Sequence, residues 1–148
     1  MRLTSWEIYT PPQGPPQIDG PSREIYELMG EENIYRMLED FYRQLENSPI
    51  RHLFPQDMAA ASRKIAMYFI FLFGGPPLFQ QHFGPPRLRA RHLRFPIDGQ
   101  ARVVWLDCFE KILQNAETKY NFPSQHLDGF RTFLREFSGW MVNKESSN

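Results

Sequence analysis

His92 stands in the stretch GGPPLFQQHFGPPRLRARHLRF, after a strongly apolar segment and before one that carries Trp105. An imidazole so placed can ligate iron, and a proximal histidine is one of the few ways a protein holds haem. Such a group also needs dry, mostly apolar walls, which the flanking segments can supply. A lone histidine is more often a surface or satisfied core residue, so the reading depends on its neighbours. Tyr42 and Trp105 carry it further: each falls on the apolar stripe of its segment, and each has one donor that seeks a partner when buried. A diatomic ligand on iron would provide that partner.

Other chemistries find little support. His52, His82, His92 and His126 are not spaced to gather zinc on one helix, and Cys108, on an apolar stripe, reads as an inert core residue. No phosphate-cradling glycine loop or nucleophile triad is present. Lys plus Arg and Asp plus Glu each number 17, so no overall field favours nucleic acid or an anionic membrane. The cluster Arg87, Arg89, Arg91 and Arg94 lacks a nucleic-acid motif, and pairing with a cofactor carboxylate or with surface groups is the stronger reading. One cysteine excludes an intrachain disulfide framework and fits a reducing cytosol. MRLTSWEIYTPPQGPPQIDG has no signal-like apolar core, and Ile65 to Phe73 covers nine residues against the roughly 20 that span a bilayer. A cytoplasmic location without membrane association is therefore expected.

The elements that position these residues read as helices. Ile34, Met37, Leu38, Phe41, Tyr42 and Leu45 share one helical face. A second helix follows Pro55, with Asp57 as its cap, and its all-round apolar end predicts burial on every side. Gly74 and Gly75 stop it, and Pro76, Pro77, Pro85 and Pro86 leave only a short helix or single turn for His92. Asp98 caps the next helix, whose stripe is Ala101, Val104, Trp105, Cys108, Phe109 and Ile112. Ser124 is the expected cap of the last, with Leu127, Phe130, Leu134, Phe137 and Met141 inward. The chain is thus all-α, of about four substantial helices plus short ones, with 13 Phe that either fill an ordinary core or also enclose a flat apolar cofactor. The expected organisation is a Pro-rich N-terminal arm over 1–21, a domain over 22–143 and a frayed end over 144–148. Trp6, Ile8 and Tyr9 are the residues that could pin the arm to the domain or to a neighbouring subunit.

These residues resemble the truncated haemoglobins of group II, the O-type, over about 22–143. The resemblance is carried by DFY at Asp40 to Tyr42, LFP at Leu53 to Pro55, GGP followed by RLRARHLRF through Phe95, and Trp105 thirteen residues beyond His92. Each piece is weak alone; their order and spacing are specific, because full-length globins do not share them. The resemblance implies a truncated globin, a two-over-two helical sandwich around haem b. It implies His92 as proximal iron ligand, Tyr42 as distal tyrosine and Trp105 as the distal indole donor. Phe54 falls where some relatives have Tyr, which leaves one donor fewer. Ala61 falls where many other globins carry a distal His, and Ile65 lies one turn on. Tyr68 and Phe69 would continue the haem-facing wall, and Lys64 and Arg91 would meet the propionates or serve as solvated surface charges.

Three functions remain open at this point. In the first, a pentacoordinate haem reversibly binds dioxygen, carbon monoxide or nitric oxide. Dioxygen acquires partial negative charge on coordination, and preorganised donors from Tyr42 and Trp105 stabilise it as an oxyanion site would. In the second, the same iron reduces peroxide or turns over nitric oxide, with a reductase as partner; Phe54, Ala61 and Ile65 supply no acid/base group for peroxide, which weighs against it. In the third, the chain is a haem-free helical interaction module with no Soret band. A homodimer, with the arm contributing to assembly, is also open.

Overall fold

The computed structural model describes residues 5–145, and residues 1–4 of the expected arm and 146–148 of the expected frayed end lie outside them. Eight helices follow in order: α1 (Ile25–Met29), α2 (Glu31–Glu46), α3 (Met58–Leu72), α4 (Leu78–Phe83), α5 (Leu88–Arg91), α6 (Gly99–Leu113), α7 (Ala116–Tyr120) and α8 (Leu127–Met141). Single 3-10 turns lie at Arg51–Leu53 and Ser124–His126, and no strand occurs among the described residues. The four long helices form two packed pairs, α2 with α3 and α6 with α8, joined where α2 lies against α6. This is the two-over-two sandwich.

Local sequence accounts for most of the boundaries. Asp57 accepts from Ala60 N–H at 3.0 Å and Asp98 from Ala101 N–H at 2.9 Å, so both expected caps satisfy an orphan amide of their helix. Ser124 does not cap α8. It opens the 3-10 turn, and α8 begins after His126 with no side-chain cap. At the end of α3, Gly74 adopts φ +100°, where a Cβ would sit 1.9 Å from the Arg23 carbonyl oxygen. Only glycine tolerates that backbone and that approach together.

The six-residue stripe of α2 is buried throughout, Tyr42 least so at 9 % exposed. Phe41, Phe69, Phe109 and Phe130, one from each long helix, meet in the centre. Their ring centroids are 4.1 Å apart for Phe41–Phe109, 5.9 Å for Phe69–Phe130 and 5.6 Å for Phe109–Phe130. Edge-on and tilted packing of this kind suits the ring quadrupoles and stabilises each pair by about 0.5–1.5 kcal/mol beyond area burial. In contrast, α3 is not buried on all sides. Met58, Ser62, Ala66, Phe69 and Ile70 face the core, while Met67, Phe71 and Leu72 remain half-exposed. Hydropathy alone overstated how many of its faces find neighbours.

No described helix precedes Ile25. The segment before it is nevertheless tied down: Trp6 Nε1–H and Tyr9 N–H both donate to the Asn143 carbonyl, at 3.2 and 2.8 Å. No described helix is long and apolar enough to cross a membrane.

Candidate functional site

A cleft of about 580 Å³ opens between α3, the turn after α2 and the α5 segment, and a smaller chamber of about 90 Å³ continues inward from it. Tyr42, Leu53, Phe54, Ile65, Leu88 and His92 line both. Volumes of this order accommodate a small-molecule cofactor, and mostly apolar walls with few polar groups are what such sites present.

His92 terminates α5, a helix of one turn entered from Arg87, whose φ of +38° bends the chain after Pro85 and Pro86. Its ring lies over the cleft, and its Nδ1 meets the Leu88 carbonyl oxygen at 2.6 Å. A carbonyl only accepts, so Nδ1 carries the proton and the Nε2 lone pair is left without a partner among the described residues. Burial holds the imidazole pKa below its ordinary value, against the opposing Leu88 hydrogen bond; the nearby charges of Lys64, Arg91 and Arg94 add to the lowering. The ring is therefore neutral at neutral pH, which is the ligating form.

Tyr42 reaches the cavity from α2, with its ring edge-on to Phe41 and Phe54 at 5.6 and 5.7 Å. Burial drives its phenol pKa far above the ordinary value, so the hydroxyl keeps its proton. Trp105 comes from α6, half-buried and edge-on to Phe41 at 5.4 Å, and it lines the inner chamber with Phe69 and Phe137. Neither the Tyr42 hydroxyl nor the Trp105 indole N–H makes a hydrogen bond with a described residue. Two donors without a hydrogen-bond partner among the described residues thus line one chamber together with His92, whose Nε2 is likewise unpartnered.

The remaining candidates divide. Phe54, Ala61, Lys64, Ile65 and Arg91 line the main cleft with His92, and Phe69 lines the inner chamber. Tyr68 lines neither; it packs edge-on to Phe79 at 5.9 Å beside Leu88 and Met141. Lys64 makes no ion pair among the described residues, and its ammonium rests 4.7 Å from the Phe83 ring centre. Arg91 donates from Nε to the Pro86 carbonyl at 2.6 Å and from Nη2 to those of Phe83 and Pro85 at 2.8 and 2.9 Å. It thereby folds the Gly84 to Pro86 loop onto α5. With Arg94, these residues give the cleft a cationic rim, and no carboxylate among the described residues lines it.

Sequence reasoning did not single out Leu88, although its position four residues before His92 on a helical turn was a usable signal. Asn143, which anchors the His92 turn, had none, its partner lying about fifty residues away in sequence; Arg89, expected with Arg87, Arg91 and Arg94 to meet a cofactor carboxylate or surface groups, instead donates to the Trp140, Val142 and Tyr9 carbonyls. Among the described residues no group of His, Cys, Asp and Glu could hold a metal ion by itself. The donor set instead fits a flat apolar group that would bring its own metal: one neutral imidazole and two hydrogen-bond donors line the same inner chamber, and cations line the outer cleft.

The family model for bacterial-like globins matches residues 24–141. Among curated proteins, the chain is 35% identical over 91 residues to the group 2 truncated hemoglobin YjbI of Bacillus subtilis (strain 168), an alignment covering 61% of this chain and 69% of that protein. Among solved structures, phosphate-bound Hell's gate globin IV superposes with a TM-score of 0.81 at 30% identity, covering 89% of this chain and 82% of that one. The truncated oxygen-avid haemoglobin from Bacillus subtilis superposes with a TM-score of 0.74 at 30% identity, covering 81% of this chain and 99% of that one.

Proposed function

The chain belongs to the bacterial-like globins, and within them to the group II truncated haemoglobins; from that premise we propose that it holds haem b through His92 and reversibly binds dioxygen and other diatomic ligands, carbon monoxide and nitric oxide among them. Membership of the family makes it a haem-binding globin. The residues of the cavity support the finer reading, above all the Tyr42 hydroxyl and Trp105 indole N–H, unpaired among the described residues in one chamber with an imidazole whose Nε2 is free.

Haem iron, when bound, supplies a coordination position that takes up a diatomic ligand and releases it unchanged. The protein's part is to hold, orient and exclude. His92 presents Nε2, its tautomer and ring plane fixed by the Leu88 carbonyl. Tyr42 and Trp105 donate to a ligand that gains partial negative charge, and they do so from a low-dielectric pocket where such bonds are stronger than in water. Phe54, Ile65 and Phe69 keep that pocket apolar, and small Ala61 leaves its entrance open. Lys64 and the Arg91 guanidinium stand at the mouth to take the haem carboxylates. Peroxide chemistry is the less supported reading, because among the described residues neither a carboxylate nor a second imidazole lines the cavity to act as acid or base.

Absorption spectra of the purified protein after addition of hemin, then reduced, then exposed to carbon monoxide, test this reading. A Soret band that shifts at each step is expected, and it is lost or displaced in His92→Leu at unchanged helical content. A colourless product after hemin addition, or a His92→Leu spectrum identical to the parent's, sinks the assignment.

A further inference from the structure

The helix that ends at His92 is too short to hold its own geometry. α5 comprises four residues, and a single helical turn fixes several dihedrals for about one hydrogen bond, so it is unstable in isolation. Whatever aims the imidazole must therefore tie α5 and its following turn to the rest of the chain, and two groups do so. Arg89, on α5 itself, donates from Nε to the Trp140 carbonyl at 2.8 Å, lays its guanidinium 4.5 Å from the Trp140 ring centre, and reaches the Tyr9 carbonyl at 2.5 Å. Asn143 grips the other end.

Asn143 follows the last helix and is fully buried, unlike its neighbours Val142 and Lys144. Its Nδ2 donates to the His92 carbonyl at 3.2 Å and to the Phe95 carbonyl at 2.9 Å, while Oδ1 accepts from Ile97 N–H at 3.0 Å. Its backbone N–H donates to the Ile97 carbonyl at 2.9 Å, and its carbonyl accepts from Tyr9 N–H and Trp6 Nε1–H. One residue thus closes the turn from 92 to 97 and fastens it to the N-terminal segment. A buried amide with all its polar atoms engaged specifies a single arrangement, because any displacement leaves several desolvated groups unpaired.

We propose that Asn143 is the positioning residue for His92, and that the arm, through Trp6 and Tyr9, locks Asn143 in place. It acts through the backbone of residue 92 and complements the Leu88 carbonyl, which acts on the ring. The proposal rests on His92 being the iron ligand.

The test uses the full chain loaded with hemin, with Asn143→Asp, Asn143→Ala and Trp6→Phe. The carboxylate of Asn143→Asp still accepts from Ile97 N–H but repels the two carbonyls that the amide held. Two quantities are measured: the rate of hemin transfer to excess apomyoglobin, and the iron–imidazole stretching band of the reduced, ligand-free protein. Transfer faster by roughly 10- to 100-fold in the Asn143 variants is expected, the scale at which outer partners of metal ligands act. The stretching band moves with it, and Trp6→Phe shifts both in the same direction by less. A lower melting temperature with transfer rate and band unchanged marks a purely structural anchor and overturns the proposal. Should the Asn143 variants not fold, an unshifted band and rate in Trp6→Phe overturns it equally. A parent that takes up no hemin fails earlier, at the ligation reading, and removes the ground of this one as well.

Discussion

Deleting the same atom from two buried tyrosines should have opposite consequences. The Tyr42 hydroxyl has no partner among the described residues and lines the cavity, whereas the Tyr120 hydroxyl donates to the Asp40 carboxylate in a charge-assisted bond. In Tyr42→Phe the ring contacts with Phe41 and Phe54 persist, so no cavity opens. Only the donation to a bound ligand is lost. A hydrogen bond to a partly charged acceptor in a dry site contributes about 1 to 3 kcal/mol, which corresponds to dioxygen dissociation faster by roughly 5- to 150-fold. Carbon monoxide, less polarised, should respond less. The melting temperature stays within about 2 °C of the parent, since no folded-state bond is broken. Tyr120→Phe loses a bond of about 1.5 to 3 kcal/mol, hence roughly 3 to 12 °C, and leaves ligand kinetics alone because Tyr120 lines neither cavity. Stopped-flow displacement of dioxygen by carbon monoxide, together with thermal unfolding monitored at 222 nm, reads both quantities. Dissociation within twofold of the parent in Tyr42→Phe refutes the assigned donor; a collapse of its melting temperature refutes the claim that the hydroxyl is unpaired.

Three further outcomes are expected. Burial alone would raise the Asp40 carboxyl, but the Tyr120 hydroxyl, Lys119 and Arg43 outweigh it and hold the pKa below its ordinary 3.8. Its stabilising contribution is therefore complete above that value and disappears as pH falls through the lower folded pKa; denaturant titrations of Asp40→Asn should lack that part of the acid slope. Gly74→Ala should cost more than about 2 kcal/mol, since it combines a φ of +100° with a Cβ driven onto the Arg23 carbonyl; an unchanged urea midpoint would show that the turn relaxes freely. Ala61→Trp should slow carbon monoxide rebinding after flash photolysis by narrowing the mouth of the cleft, and rebinding at the parental rate removes Ala61 as a gate.

The resemblance carried by DFY, LFP, RLRARHLRF and Trp105 pointed to the family before any coordinates, and its match over 24–141 agrees. Helix periodicity anticipated the α2 stripe residue by residue, and capping chemistry anticipated Asp57 and Asp98, because both effects act within one turn of chain. The brevity of the His92 helix followed in the same way, from prolines and glycines that act on their own backbone. Which apolar faces of α3 acquire neighbours was decided by tertiary packing, and so was the wall that excludes Tyr68. Ser124 fell to the same cause, its turn continuing as 3-10 until α8 could start against the core.

Sequence by itself determined roughly where the long helices lie and which imidazole and donors were candidates, since those depend on residue type and on spacing within a few residues. Tertiary structure alone decided that Tyr42 and Trp105 stay unpaired in one cavity, that Asp40 and Tyr120 find each other, and that Asn143 closes over His92. Each of those juxtapositions joins residues tens of positions apart, and proximity at that range is set by where whole helices come to rest.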